Sequence, residues 1–278
     1  MPETGSGNIQ SMTKDKIQKK TLSIRLSTNG FCFCNYNPAH PDGLRIFTYT
    51  PDTERSLASN IQTAFDSCPL IEKEEKYDIK AIIETGEYTC IPSEYDNTDD
   101  YRMFFDYCFP KKGSDNEIIA NRLNAYGYTV LFPVEKSIYE TIQNYGNITF
   151  YTPASIIMSY LNYKPIEKER YMLAYLYNDF AFILTMKNGK ASMSNIFRKE
   201  EKENILFYLL SIWKEQGMSQ TDDHLYLCGD NSIEELSPIA GKFIKNIKRI
   251  NPNGLFPSNI LNRIEGIPFD LQALILCE

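Results

Sequence analysis

The chain carries the same order of predicted secondary structure twice. Residues 21–34 read as a strand, a polar turn and a second strand, and residues 171–184 repeat that pattern. After each hairpin the sequence predicts a third strand, an amphipathic helix and a further strand that ends near a glycine. A duplicated unit of this kind predicts two mixed α/β sheets flanked by helices, with a ligand-binding cleft between the two halves.

The repeat also sets the expected domain boundaries. We expect a flexible N-terminal tail over residues 1–20, a first domain over residues 21–163 and a second domain over residues 164–278. The periodicity breaks between about residues 88 and 122, where an acidic stretch is followed by an aromatic one. We therefore expect an irregular insert within the first domain.

Composition narrows the classes of function. The 278 residues contain 36 acidic and 29 basic side chains, and the formal charge of −7 argues against a nucleic-acid-binding surface. No apolar run is long enough to span a membrane, and the first residues lack the pattern of a signal peptide. The seven cysteines are irregularly spaced, which is typical of free thiols. We expect a cytoplasmic protein without membrane insertion.

A metal site and a hydrolase dyad are both disfavoured. Cys32 and Cys34 share one strand face, but a metal site needs further ligands and His40 is the only histidine nearby. His224 lies far along the chain, and neither histidine stands beside a recognisable nucleophile. We therefore expect no metal site.

Aromatic residues are concentrated in the predicted insert. Five of them lie close together there: Tyr101, Phe104, Phe105, Tyr107 and Phe109. Large aromatic side chains are buried more often than not, which favours a small satellite core. The alternative is an exposed anchor surface for a partner protein, and these five residues are the best such candidates in the chain.

The order of elements resembles that of the actin-like ATPase superfamily, which includes sugar kinases, the 70-kDa chaperones, exopolyphosphatases and actin-like pilus-assembly proteins. More narrowly, the chain resembles an uncharacterised bacterial family assigned that fold. The resemblance extends from Thr21 to the C terminus. It implies duplicated actin-like (ribonuclease-H-like) domains with a nucleotide cleft between them.

The motifs of this superfamily are altered here. Its first hairpin carries Asp-x-Gly-Thr/Ser, in which the aspartate holds a magnesium-bound water and the glycine lets backbone N–H groups approach the phosphates. The matching positions are Arg25-Leu26-Ser27-Thr28, and the second hairpin has Tyr175-Leu176-Tyr177 where another Asp-x-Gly is expected. The adenosine-binding strand ends in Gly229-Asp230 rather than in two glycines. These departures argue against ATP and magnesium as cofactors.

Arg25, Thr28, Asn29 and Gly30 are candidates for binding an anion at the floor of the cleft, with Arg25 in the place of the lost metal. Arg25 belongs to the polar face of a predicted strand, in which apolar and polar residues alternate. The alternative, which is favoured, is an ordinary strand arginine paired with a neighbouring carboxylate.

Gly229 and Asp230 form a second candidate site. They lead into a predicted helix, and the N terminus of a helix can bind an anion, although the Asp230 carboxylate would repel one. The favoured alternative is a capped helix preceded by a structural glycine.

Three functions are compatible with these residues. The first is a non-catalytic scaffold or protein-binding protein with a degenerate nucleotide site. The second is a divergent nucleotide-binding phosphotransferase or ATPase, in which Glu84 is a weak candidate for the acid–base or metal residue. The third is a sensor that binds a small ligand in the cleft without turnover. We favour the first function, with a protein as the partner.

Overall fold

The computed structural model describes residues 20–40, 43–72, 75–110, 115–199, 202–264 and 266–277. The expected N-terminal tail lies outside these residues, apart from Lys20. The Lys20 ammonium group forms ion pairs with Glu72 at 2.9 Å and with Glu75 at 2.7 Å, at the start of the first strand.

Outside the insert, the elements of the first half follow one another in the expected order. They are β1 (Thr21–Ser27), β2 (Gly30–Tyr36), β3 (Leu44–Tyr49), α1 (Leu57–Ser67), β4 (Tyr77–Ile83), β5 (Thr89–Pro92), α2 (Tyr101–Cys108), β6 (Asn116–Leu123), β7 (Tyr128–Glu135), α3 (Lys136–Gln143), β8 (Gly146–Tyr151) and α4 (Pro153–Tyr163).

The second half repeats the same scheme without the insert. Its elements are β9 (Arg170–Tyr177), β10 (Phe180–Lys187), β11 (Lys190–Arg198), α5 (Lys202–Glu215), β12 (His224–Gly229), α6 (Ser232–Ala240), β13 (Asn246–Arg249), α7 (Leu261–Ile264) and α8 (Phe269–Leu276). Short 3₁₀ turns at Pro252–Leu255 and Ser258–Ile260 connect β13 to α7.

Two five-stranded sheets have the same topology. The first has the order β3-β2-β1-β4-β8 and the second the order β11-β10-β9-β12-β13. In both, the first three strands are antiparallel and the remaining two join in parallel. The duplicated mixed α/β architecture predicted from the sequence is therefore confirmed.

The register of the hairpins shows which residues are equivalent in the two halves. The pair Ser27–Gly30 closes the first hairpin, and the pair Tyr177–Phe180 closes the second. Arg25 precedes its closing pair by two residues, as Tyr175 does in the second half. Arg25 and Tyr175 therefore occupy equivalent positions.

A second equivalence lies where the parallel strand of each half ends. The backbone N–H of Glu84, after β4, donates to the carbonyl of Leu26 at 3.2 Å. The backbone N–H of Asp230, after β12, donates to the carbonyl of Leu176 at 2.8 Å. Glu84 and Asp230 thus follow equivalent strands and make the same backbone contact.

The insert is regular rather than irregular, and it extends past residue 122. Strands β5, β7 and β6 form a three-stranded antiparallel sheet, and α2 packs on it through the buried side chains of Tyr101 and Phe105. The expectation of an irregular segment was wrong because β5, β6 and α2 bury few of their side chains. Their sequences therefore lack the clear apolar alternation or apolar stripe from which a strand or a helix is predicted.

Local sequence explains where the main helices begin. The Ser56 hydroxyl accepts a hydrogen bond from the backbone N–H of Ser59, which caps α1. At the start of α4 the Ser155 hydroxyl accepts a hydrogen bond from the backbone N–H of Thr152 at 3.2 Å, and Pro153 occupies the first helical position. Each cap satisfies backbone N–H groups that the helix itself leaves unpaired.

One continuous core joins the two halves. The first sheet, α4, α8 and the inner face of the second sheet contribute to a single cluster of buried apolar residues, whereas the outer face of the second sheet packs with α5 and α6 in a separate cluster. Helix α8 packs against α4 and β1. The last helix of the chain therefore covers the polar face of the first strand.

None of the helices formed by the described residues is long and apolar enough to cross a membrane. All seven cysteines are free thiols.

Candidate functional site

Arg25 forms a buried ion pair with Asp270. Its Nε donates to both carboxylate oxygens of Asp270 at 2.9 Å, and the two residues are only 5% and 0% exposed. Burial alone would lower the pKa of the Arg25 guanidinium, but the Asp270 charge, the other acidic groups nearby and the hydrogen bond to Asp270 together raise it. The strand arginine is thus a permanent cation that is paired with a buried carboxylate.

The position of Asp270 is set by the N terminus of α8. The backbone N–H of Leu271 donates to Asp270 Oδ1 at 2.8 Å, within the first turn of the helix. A carboxylate is stabilised there because the unpaired N–H groups and the helix dipole both favour negative charge. The one acidic side chain of α8, that of Asp270, therefore lies against Arg25 of β1.

Tyr175 and Tyr177 fill the floor of the cleft beside this pair. Their rings stack with centroids 4.7 Å apart, and the Arg25 guanidinium lies 6.0 Å from the centre of the Tyr177 ring. The backbone N–H of Asp270 donates to Tyr175 Oη at 3.4 Å. Burial raises the pKa of both phenols well above the usual value, so both remain neutral.

Glu84 bridges the two halves but does not line the cleft cavity described below. Its Oε2 accepts a hydrogen bond at 2.9 Å from Nδ2 of Asn178, which holds a left-handed backbone conformation (φ 40°) in the turn of the second hairpin. Burial raises the pKa of the Glu84 carboxyl, and the Arg25 charge offsets only part of that effect. Glu84, the weak catalytic candidate, thus forms a hydrogen bond between the two halves.

The turn of the first hairpin lies apart from the cleft cavity. Thr28 and Asn29 are exposed, and the Ser27 hydroxyl donates to the carbonyl of Gly30 at 2.9 Å. A Cβ atom on Gly30 would make only an ordinary contact of 3.7 Å. The structure therefore separates Thr28, Asn29 and Gly30 from Arg25, with which the sequence had grouped them.

Gly229 has a structural reason to be glycine. It has a φ of 122°, and a Cβ atom there would lie 1.8 Å from the carbonyl oxygen of Leu176 on the neighbouring strand. The strand β12 approaches β9 so closely that no side chain fits. This close approach lets the backbone N–H of the next residue, Asp230, donate to the carbonyl of Leu176 at 2.8 Å.

Asp230 caps the helix that follows it. Its carboxylate accepts hydrogen bonds from the backbone N–H of Ser232 at 2.9 Å, from the Ser232 hydroxyl, and from Lys199 Nζ at 2.8 Å. Burial alone would raise the pKa of this carboxyl, but the hydrogen bonds from Lys199 and Ser232 lower it. Asp230 is therefore ionised and paired.

A cavity of about 460 Å³ lies at this end of the second sheet. Arg25, Tyr175 and Tyr177 form one side of it, and Gly229 and Asp230 another. The wall is completed by the first turn of α6, residues 249–253 and the start of α8. Two separate sequence candidates, the Arg25 position and the Gly229-Asp230 turn, thus meet in one cavity.

The five aromatic residues of the insert do not form one surface. Tyr101 and Phe105 are buried in the small core of the insert, and Phe104 and Phe109 are partly buried against it. Tyr107 is 88% exposed, and Met103, one helical turn earlier, is 60% exposed. Tyr101 and Phe105 are thus not available to a partner, because they hold α2 on its sheet.

Among the residues that the structure describes, no group of three acidic, cysteine or histidine side chains could hold a metal ion. Cys32 and Cys34 are buried in β2. Burial raises the pKa of the Cys32 thiol to about 12, so the reactive thiolate is scarce at neutral pH.

Residues 9–247 match a family described as "Protein of unknown function (DUF3822)". The chain belongs to this family. A search of curated proteins gave no match.

Solved structures place the DUF3822 chain in the actin-like ATPase fold. A protein of unknown function from Bacteroides thetaiotaomicron with this fold is 28% identical and superposes with a TM-score of 0.78, over 94% of this chain and 96% of that one. The PilM–PilN type IV pilus biogenesis complex superposes with a TM-score of 0.60 at 11% identity, over 93% of this chain and 99% of that one. The predicted fold and the resemblance to an uncharacterised actin-like family are confirmed, and a bacterial origin is consistent with these relatives.

Two residues of the DUF3822 site were missed by sequence reasoning. Asp270 is the lone charged side chain in the apolar segment Phe269–Leu276, and an isolated carboxylate in such a segment is a signal for a buried partner. Asn178 stands in a polar turn, where its contact with Glu84 has no local sequence signature.

Proposed function

We propose that this DUF3822 protein is a non-catalytic binding protein built on the actin-like fold. The observation that carries the proposal is the buried Arg25–Asp270 ion pair at the cleft floor. By resemblance to the superfamily, Arg25 stands where a metal-binding carboxylate is expected. A guanidinium is a cation that has only hydrogen-bond donors, so it cannot serve as a magnesium ligand.

The second hairpin supports the same proposal. Phosphoryl transfer depends on positioning the phosphates and neutralising their charge, which requires open backbone N–H groups. Tyr175 and Tyr177 place two stacked, buried rings where the superfamily has an aspartate and a glycine. Glu84, the remaining carboxylate of interest, faces Asn178 rather than the cavity.

A partner protein is supported by the surface of the insert. Met103 and Tyr107 lie one turn apart on α2, and both side chains are mostly exposed. Exposed large apolar side chains are enriched at protein interfaces. The structurally similar PilM–PilN complex is an assembly of proteins, which is in keeping with a binding role for this fold. We also propose the cytoplasm as the location, in keeping with the seven free thiols.

The lack of catalysis is tested by turnover. We expect no phosphate release from ATP, polyphosphate or a sugar phosphate in the presence of magnesium. Glu84→Gln and the exposed control Glu94→Gln are assayed beside the unaltered chain. Turnover by the unaltered chain that Glu84→Gln abolishes and Glu94→Gln preserves would overturn the proposal in favour of a phosphotransferase or ATPase.

The binding role is tested separately by site-specific photo-crosslinking in cells. A photoreactive phenylalanine analogue replaces Tyr107 or, as the control, Tyr163, which is 57% exposed on α4. We expect one discrete cross-linked protein at position 107 and none at position 163. Equal or absent cross-linking at the two positions contradicts the proposed surface.

A further inference from the structure

We propose that the cavity beside Arg25 binds a small organic molecule with a single carboxylate, which the Arg25 guanidinium anchors. This inference goes beyond the proposed function and does not rest on the identity of a partner protein. It rests on which donors and acceptors at the cavity wall are already in use.

The guanidinium of Arg25 has hydrogen-bond donors that are not used within the described chain. Both of its hydrogen bonds to Asp270 come from Nε, so within the described part of the chain its terminal nitrogens have no acceptor. The residue is only 5% exposed to solvent and lines the cavity. A buried guanidinium with unused N–H groups favours a carboxylate, because the planar group can donate two parallel hydrogen bonds.

The other cations near the cavity are already paired. Arg249 pairs with Glu234 through two hydrogen bonds, one of them 2.8 Å long between Nη2 and Oε2. Lys199 is held by Asp230 at 2.8 Å. One cation with unused donors suits a single carboxylate, whereas the acidic side chains of Asp230 and Glu234 on the wall would repel a triphosphate.

The remaining wall suits an organic body with a hydrogen-bond donor. Ile233, Ile250 and Phe269 line the cavity with apolar surface. The amide nitrogen of Gln272 donates to the carbonyls of Ile264 at 3.2 Å and Ile267 at 2.8 Å, which leaves its Oε1 as an acceptor without a partner in the described chain.

The size of the cavity agrees with this ligand class. Sites for small molecules and cofactors span roughly 300–1,000 Å³, and a volume of about 460 Å³ lies in the lower part of that range. A ligand with a carboxylate at one end, an apolar body and a donor at the other end would use each part of the wall.

The test is a calorimetric titration of the full chain with three acids: 4-hydroxyphenylacetate, indole-3-acetate and 3-hydroxybutyrate. The amide of each acid, which has the same shape but no charge, is the matched probe. We expect at least one acid to bind with a stoichiometry of one, and its amide to bind at least about tenfold more weakly, since hydrogen bonds to charged groups are the stronger ones. Failure of all three acids, or equal binding of acid and amide, would overturn the proposal.

A pair of variants locates the binding. Ile250→Trp adds bulk to the wall of the cavity, whereas Ile239→Trp adds the same side chain at a surface position that is 44% exposed and outside the cavity. We expect Ile250→Trp to weaken the acid at least about tenfold and Ile239→Trp to leave it unchanged, with both folds checked by circular dichroism. Acid binding that survives Ile250→Trp in a folded chain contradicts the assignment to this cavity.

Magnesium-dependent ATP turnover would overturn the proposed function alone, so the two failures are distinguishable.

Discussion

The two hairpins of this protein share a backbone but present different chemistry at equivalent positions. Arg25 and Tyr175 stand two residues before their closing pairs, yet one is a charged side chain and the other a neutral phenol. The two side chains meet at Asp270, which accepts from Arg25 Nε and whose backbone N–H donates to Tyr175 Oη. Backbone hydrogen bonds form the hairpin in both halves. The side chains that point inward can therefore differ between the two halves without changing the fold.

The carboxylates that follow the parallel strands diverge in the same way. Glu84 and Asp230 make the same backbone contact, but Glu84 is bonded to Asn178 of the other half, whereas Asp230 is bonded to Lys199 of its own half. Their pKa values consequently shift in opposite directions. Of these equivalent carboxylates, Glu84 thus makes a contact between the halves and Asp230 accepts a hydrogen bond from the start of a helix.

The largest effect is expected from removing the shared partner of the two hairpins. Asp270→Ala leaves the Arg25 guanidinium buried without a counterion and should lower the free energy of unfolding by about 3–5 kcal/mol. Urea unfolding measures the loss. The control is Asp52→Ala, which breaks an exposed pair with Arg55 and should cost no more than about 1 kcal/mol.

The double variant Arg25→Met, Asp270→Leu sharpens that result. Because it removes both charges together, we expect it to recover most of the stability that Asp270→Ala loses. Similar losses in Asp270→Ala and Asp52→Ala would show that the pair does not hold α8 to β1.

The next effect concerns the close approach of the second pair of strands. Gly229→Ala places a Cβ atom 1.8 Å from a backbone oxygen, so the strands must separate, and we expect a loss of at least about 2 kcal/mol. Gly189→Ala is the matched control because Gly189 also has a positive φ, of 74°, but open space around it. It should lose only about 1–2 kcal/mol. Equal losses in thermal unfolding would refute the close-approach explanation.

A smaller effect separates the two tyrosines. Tyr175→Phe removes the acceptor of the Asp270 N–H and should cost about 1 kcal/mol. Tyr177→Phe removes a buried hydroxyl that has no partner among the described residues, so we expect no loss or a slight gain. If Tyr177→Phe proves the more costly change in urea unfolding, the assignment of partners at the cleft floor is wrong.

The smallest effect is a difference in pH dependence between the equivalent carboxylates. The pKa of Glu84 is raised above its ordinary value of 4.5, so its contribution to stability is fully present below 4.5 and is lost as the pH rises through the raised pKa. The pKa of Asp230 is lowered below 3.8, so its contribution is present above 3.8 and is lost as the pH falls through the lowered pKa.

Urea unfolding across these pH ranges tests both signs. Relative to Glu84→Gln, the stability of the unaltered chain should fall as the pH rises above 4.5. Relative to Asp230→Asn, it should fall as the pH drops below 3.8. Parallel slopes for the two variants would contradict the different environments of the two carboxylates.

The two sheets could be predicted from the sequence because each strand has a recognisable local pattern of apolar and polar residues. Apolar runs, polar turns and helical periodicity are local, and their repetition predicted the order of elements along the chain and a mixed sheet in each half. The cleft floor is different, since Asp270 reaches Arg25 across 245 positions of the chain. The alternation in β1 predicted one polar face, but no residue near β1 in the sequence indicates that α8 covers that face.

Isothermal titration calorimetry with magnesium and ATP tests the central claim most directly. We propose that the Arg25–Asp270 pair and the stacked rings of Tyr175 and Tyr177 close the cleft floor to a triphosphate. We therefore expect no saturable heat at millimolar ATP with the full chain. Saturable binding with a stoichiometry of one, weakened by Ile250→Trp but not by Ile239→Trp, would show that the cleft still accepts the nucleotide and would contradict the account.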